Sequence, residues 1–319
     1  MTESISVYPE DSPSIVRVCI FGSTGLLGTA LLAALHRDGA SAVSFSRTRK
    51  EGRPGFAHWD PVAGTIESAR LNGVDAVINL AGENIGVARW TKARKQSLWD
   101  SRIRSTELIA RTLCELDVRP KVWINASSAR YYGDRGDDAV YEDSSPGSGF
   151  LAELCQAWEA ATEPAAQVGL RVVCLRLGVV LARTGGALGS MLAPFKLGLG
   201  GRFGSGEQRM PWISLADAAN VMRFATRHPD LAGPVNAVAP ESVTNRQFTE
   251  TLARVLHRPA PMAVPAFALK AAIGSELAQQ VLLTGANVRP RKLEIAGYRF
   301  EYPRLDDALE AMLERRSHI

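Results

Sequence analysis

The 319-residue chain predicts an α/β fold, a doubly wound parallel sheet with a smaller C-terminal lobe. Three observations carry that prediction. Short apolar runs alternate with amphipathic helical stretches from Val16 to Leu175, the pattern of a parallel sheet wound with crossover helices. The first run breaks into glycines spaced G-x-x-G-x-x-G and passes straight into a helix. After Arg176, Gly and Pro punctuate the chain heavily through Pro211, marking a change of architecture.

Residues 1–14, rich in Pro, Ser and acids, read as a loose leader. Residues 15–176 form the sheet domain. Its first strand spans roughly 16–21, and its first helix 26–38 stops at Gly39. Strands follow at 41–46, at Phe56 to Trp59, and at 75–80. Apolar residues at near-helical spacing from Trp99 to Leu116 predict a long helix over 91–117. A strand at 121–126 places Ser127-Ser128 at its C-terminal end. A loop at 133–148 leads to a helix at 149–168, and Leu170 to Leu175 is a further strand. Residues 177–319 make the lobe, although part of 214–240 (helix 214–227, strand 234–238) completes the sheet. Thr244-Asn245-Arg246-Gln247 is a capping box opening helix 244–257. The segment 259–319 reads as short helices, broken at Arg289-Pro290-Arg291.

Bulk properties exclude several function classes. A formal charge of +4 is small for this length, and the basic residues are mostly scattered, so nucleic acid is not an expected partner. No apolar run approaches the roughly 20 residues of a membrane span. The N-terminus carries Glu3, Glu10 and Asp11 before any apolar run, unlike a signal peptide, so the expected location is cytoplasmic. Four cysteines (Cys19, Cys114, Cys155, Cys174) lie far apart without a C-x-x-C pair or a His cluster, and no metal site is expected.

The stretch Gly22-Ser23-Thr24-Gly25-Leu26-Leu27-Gly28 is the expected dinucleotide site of a Rossmann-type fold. Its glycines allow a sharp turn and close approach of the backbone to a pyrophosphate, and the new helix aims free N–H groups at that anion. An acid about 20 residues further on would hold the ribose hydroxyls of NAD. Here the second strand ends Ser46-Arg47-Thr48-Arg49-Lys50, with no acid before Glu51. A guanidinium and two hydroxyls suit a 2′-phosphate, so Arg47, Ser46 and Thr48 predict NADP(H).

With these residues in view, the chain resembles the extended short-chain dehydrogenase/reductases, the group that includes nucleotide-sugar epimerases. The likeness rests on the glycine turn, on Asn79-Leu80-Ala81-Gly82, and on Ser127-Ser128-Ala129-Arg130-Tyr131-Tyr132-Gly133. Asn84-Ile85, Arg89-Trp90-Thr91, Ser101-Arg102-Ile103, Arg176-Leu177-Gly178 and Pro211-Trp212-Ile213 narrow it to one subfamily. Those epimerase-like proteins end in a small C-terminal domain of unknown function and are sometimes labelled cell-division inhibitors. The resemblance implies that Leu80, Ala81 and Gly82 pass beside the cofactor ribose. It also implies an oxidoreductase or epimerase acting on a small molecule, and a homodimer packed through helices 91–117 and 149–168.

The group's chemistry needs a Ser, a Tyr, and a Lys one helical turn beyond the Tyr. Ser128 fills the first position. Aligned on Glu159, the other two fall on Leu151 and Cys155, and no Tyr-x-x-x-Lys occurs anywhere in the chain. Proton transfer would then fall to Tyr131, Tyr132, Glu83 or Cys155, the last because a helix N-terminus lowers a thiol pKa. The other reading is an NADPH-binding sensor or regulator without turnover. For substrate binding the candidates are Glu83, Asn84, Arg89, Arg102 and Arg209, with Trp212 stacking on a flat ligand.

Overall fold

The computed structural model describes residues 17–49 and 53–313. The expected leader over 1–14 lies outside them, as do Val16 and Lys50. Six early strands form where apolar runs recur: β1 (Arg17–Phe21), β2 (Ser41–Ser46), β3 (Phe56–Asp60), β4 (Thr65–Ile66), β5 (Ala76–Asn79) and β6 (Val122–Ser128). With strands Arg171–Leu177 and Gly233–Ala237 they build one eight-stranded sheet. Its order is Gly233–Ala237, Arg171–Leu177, β6, β5, β1, β2, β3, β4. Every pairing is parallel except the short β3–β4 edge. From β1 the chain builds outward to β2 and β3, then returns to β1's other side with β5. That reversal opens a crevice beyond the C-terminal ends of β1 and β5, where doubly wound sheets bind ligands.

Helices cover both faces. Helix α1 (Leu26–Arg37) buries Leu31 and Leu35 on one face, beside Val221 and Met222 of the helix Leu215–Arg227. Helix α2 (Lys92–Glu115) buries Leu108, Ile109 and Leu113 on the other face. Thr91 starts α2 by accepting a hydrogen bond from Arg94 N at 3.1 Å, satisfying one of the donors a helix start leaves open. The helix expected over 149–168 is two: α3 (Phe150–Ala160) and α4 (Glu163–Gln167). Pro164 has no N–H to continue a helix and sits in the first turn of a new one.

A second core belongs to the lobe. Trp212, Phe248 and Leu252 pack there with Leu305 and Leu309, and the expected capping box at Thr244 and Gln247 is formed. The chain's last described third does not stay in the lobe. Leu293 and Tyr298 return to the α1 face of the sheet. The fully buried Asp217 carboxylate holds that return, accepting from Ser214 Oγ, Tyr298 OH, Glu301 N and Tyr302 N at 2.7–3.2 Å.

Candidate functional site

The glycine turn shows why three glycines are needed, and the reasons differ. At Gly22, with φ +78°, an added Cβ would lie 2.7 Å from the Leu80 carbonyl carbon, so this glycine lets the turn press on the Leu80-Ala81 loop. At Gly28 a Cβ would lie 2.4 Å from Gly22 O, so the helix could not pack on its own turn. Gly25 is different: its nearest neighbour would be Gly22 O at 3.4 Å, an ordinary contact. The protein's own packing does not require a glycine at 25. Gly25 is exposed at the start of α1, which has no side-chain cap and no acid in its first turn. Free N–H groups, a bare backbone and the helix's positive end fit a pyrophosphate.

The neighbouring loop is anchored from below. Asn79, fully buried, donates to Asn125 Oδ1 at 2.7 Å and Thr106 Oγ1 at 3.3 Å, while its Oδ1 accepts from Ala81 N at 3.1 Å. Trp158 Nε1 donates to the same Thr106 hydroxyl. Leu80, Ala81 and Gly82 are thereby fixed beside Gly22. Arg102, expected at the substrate, lies under this loop instead. It is buried, donates to the carbonyls of Glu83 and Leu98, and lies over the Trp158 ring at 5.1 Å. Burial pulls its pKa down to about 10. Glu83 is likewise turned onto α2, held by Ser97 Oγ and Arg94, which keep its carboxyl below the ordinary range. Arg47, Thr48 and Ser46 lie together at the end of β2, with Ser46 Oγ accepting from Thr48 N at 3.2 Å and Arg47 exposed.

Between sheet and lobe lies a cleft of about 900 Å³. Ser128, Asn84, Arg89 and Arg209 line it, and so does Leu151, which aligns with the group's Tyr. Helix Gly186–Lys196 begins at the cleft with Gly186, Ala187 and Ser190, also without a side-chain cap or first-turn acid. Leu26 of α1 sits within 3.3 Å of a Cβ built on Gly186, so the helix start and the glycine turn adjoin.

Four further expectations require correction. Trp212 is fully buried in the lobe core and donates its indole N–H to Glu241 O, so it cannot stack on a ligand. Tyr132 is fully buried with its hydroxyl between Asn236 Oδ1 and Arg176; burial pushes it up to about 12. The Tyr131 ring lies under the Arg176 guanidinium at 3.4 Å and borders a separate cavity of about 440 Å³. Cys155 is buried, and desolvation pushes its thiol up to about 12, the reverse of the expected activation. A thiol held there stays protonated at neutral pH. Iodoacetamide at pH 8 is therefore expected to leave Cys155 unmodified in the folded protein and to alkylate it in urea, as peptide mass spectrometry will check.

Sequence reasoning missed Arg130. It lines the cleft half-buried, and its Nη1 and Nη2 donate to Thr284 O at 2.8 Å and Val281 O at 2.6 Å. The partners lie about 150 positions away, so no local pattern announces them.

Over residues 18–238 the chain matches the NAD dependent epimerase/dehydratase family, and over 264–312 a domain of unknown function, DUF1731. The chain belongs to that epimerase/dehydratase family. An epimerase family protein of Mycobacterium bovis is 45% identical over 292 residues, covering 92% of this chain and 96% of that protein. Human epimerase family protein SDR39U1 is 37% identical over 302 residues, covering 93% of this chain and all of that protein. The crystal structure of human SDR39U1 (isoform 2) with NADPH matches with a TM-score of 0.86 at 36% identity, over 94% of this chain and all of that one. A nucleoside-diphosphate sugar epimerase from Corynebacterium glutamicum matches with a TM-score of 0.77 at 33% identity, over 94% of this chain and 58% of that one. The expected resemblance thus holds in both its parts, the sheet domain and the C-terminal domain. Among the described residues no helix is long and apolar enough to cross a membrane.

Proposed function

We propose that this family member holds NADP(H) on the glycine turn and acts as an oxidoreductase or epimerase on a small molecule in the cleft. The observation that carries this reading is that Ser128, at the C-terminal end of β6, opens into a cleft of about 900 Å³ on the side of the sheet where the glycine turn lies. That volume is within the usual range for small-molecule sites. The NADPH bound to human SDR39U1 supports the choice of cofactor.

In this reading the N–H groups at the start of α1 hold the pyrophosphate, and Gly25 leaves it room. Arg47, with Ser46 and Thr48, holds the 2′-phosphate. The nicotinamide, when bound, supplies a hydride donor or acceptor. Ser128 holds the substrate oxygen: its Oγ accepts from Arg130 N at 3.2 Å, which leaves the hydroxyl hydrogen to donate to that oxygen. Leu151 and Leu177 keep water from the reacting face. The chain works in the cytoplasm, in keeping with four free cysteines, three of them buried.

Arg47→Ala is expected to weaken NADPH by about tenfold or more while leaving NADH within about twofold, as fluorescence titration checks. Exchange of label between 4-deuterated NADPH and a metabolite extract tests turnover. Exchange that disappears in Ser128→Ala supports the enzyme; NADPH binding without any exchange overturns it. A second reading has its own observation. Leu151 and Cys155, both buried, stand where the usual acid/base pair would be, and this favours a cofactor-binding sensor.

A further inference from the structure

The cleft has an unusual balance of charge and apolar surface. No Asp or Glu lines it among the described residues, and its charged groups are three arginines, Arg89, Arg130 and Arg209. Arg89 is held by the carbonyls of Ala271 and Ala272 at the end of helix Ala266–Ile273. Arg130 is held by the carbonyls of Val281 and Thr284. Neither makes an ion pair among the described residues. Arg209 does, but its partner Asp137 is 79% exposed, a solvated pair that stabilises little. Gly285 packs on the Arg209 backbone, so the 281–285 segment brings Arg130 and Arg209 to one wall. Desolvation pulls Arg130 down to about 10, so its charge is held at a cost that a nearby anion would relieve.

Much of the remaining lining is apolar: Ile85, Leu151, Val179, Met191, Phe203 and Leu282 all contribute, and Val87 at the mouth is 72% exposed. The neutral polar side chains each have one end committed to the protein's own backbone. Gln208 Nε2 donates to Phe203 O and Leu282 O, Asn245 Oδ1 accepts from Phe203 N, and Asn84 Oδ1 accepts from Gly86 N. A sugar, whose hydroxyls each need a partner when buried, finds few here. An aliphatic or ring body loses nothing by entering, and an acidic group meets unneutralised guanidinium.

We propose that the cleft binds an amphipathic anion, an apolar body carrying a phosphate or carboxylate, in place of a nucleotide sugar. Arg130 and Arg209 face the anionic group, and Arg89 holds the opposite rim through helix Ala266–Ile273. The proposal rests on the cleft being the substrate site, and its test separates the two claims.

Decyl phosphate, below its micelle concentration, is titrated calorimetrically into full-length protein saturated with NADPH; decanol and uridine diphosphate glucose are the comparators. Decyl phosphate is expected to bind saturably and at least tenfold more tightly than decanol, and uridine diphosphate glucose to show no saturable binding. Arg130→Met should weaken decyl phosphate at least tenfold with NADPH affinity kept. If that variant fails to fold, Arg209→Gln should show a smaller loss in the same direction. Equal binding of decanol and decyl phosphate overturns the proposal. So does saturable sugar-nucleotide binding, or decyl phosphate affinity indifferent to both substitutions. Anion binding without deuterium exchange overturns turnover alone, and exchange without anion binding overturns the substrate class alone.

Discussion

Gly25→Ala is expected to leave the protein folded and to remove most of its NADPH affinity. The added methyl meets only Gly22 O, at 3.4 Å, and Gly25 has an ordinary φ of −75°, so no backbone strain follows. Exchanging Gly for Ala at a helix start costs about 1 kcal/mol or less. The same methyl occupies the space assigned to the pyrophosphate. Overpacking there costs roughly 1–3 kcal/mol, which is about 5–150-fold in affinity. Gly28→Ala is the contrasting variant, because its methyl runs into backbone at 2.4 Å and must disturb the fold itself. Urea melts read stability, and NADPH fluorescence titration reads affinity. Gly25→Ala that binds NADPH normally would remove the pyrophosphate from this turn.

The second large effect concerns stability. The side chain of Arg176 is 3% exposed and bonds Glu159 through Nε and Nη2 at 2.9 and 2.8 Å. Its Nη1 donates to Tyr132 OH and Glu142 O, and its face covers the Tyr131 ring. Glu159 also accepts from Ser127 Oγ at 2.6 Å, one residue from Ser128. Arg176→Met leaves a largely buried carboxylate without its cation, a change expected to cost about 3–5 kcal/mol in urea unfolding. Adding Glu159→Gln should recover part of that loss, because the stranded charge is gone. Two singles and a double that sum without coupling would show the pair to be incidental.

Much of the fold was readable because its signals are local. Val18 to Phe21 is an apolar run ending in glycine, and α2 repeats its apolar residues at helical spacing over 24 residues. The break between α3 and α4 was overlooked because apolar periodicity ran on across Pro164, whose missing N–H outranked it. At the site, Ser128 could be placed because it ends a strand of the sheet, Arg89 because it follows the cofactor loop, and Arg209 only through the resemblance; all three line the cleft. Cys155 and Tyr132 failed as candidates for one shared reason. Proximity in sequence to a helix start or to Ser128 says nothing of desolvation, and desolvation governs both groups. Trp212 reads as a ligand-stacking candidate through its resemblance to a substrate-contacting segment, yet the lobe core, assembled from residues up to Leu309, encloses it. Arg130 became visible only when the fold brought Val281 and Thr284 to it.

The return of Leu293 and Tyr298 to the sheet bears on how the protein is made. Tyr298 joins the same core as Val18, the second residue of the first strand. Roughly 280 residues separate them, which a ribosome adds in about 14–56 s at about 5–20 residues per second. During that interval the α1 face of the sheet lacks part of its cover, and Asp217, once made, lacks its donors Tyr298, Glu301 and Tyr302. Completion of this core is thus a late, long-range closure rather than an early local one.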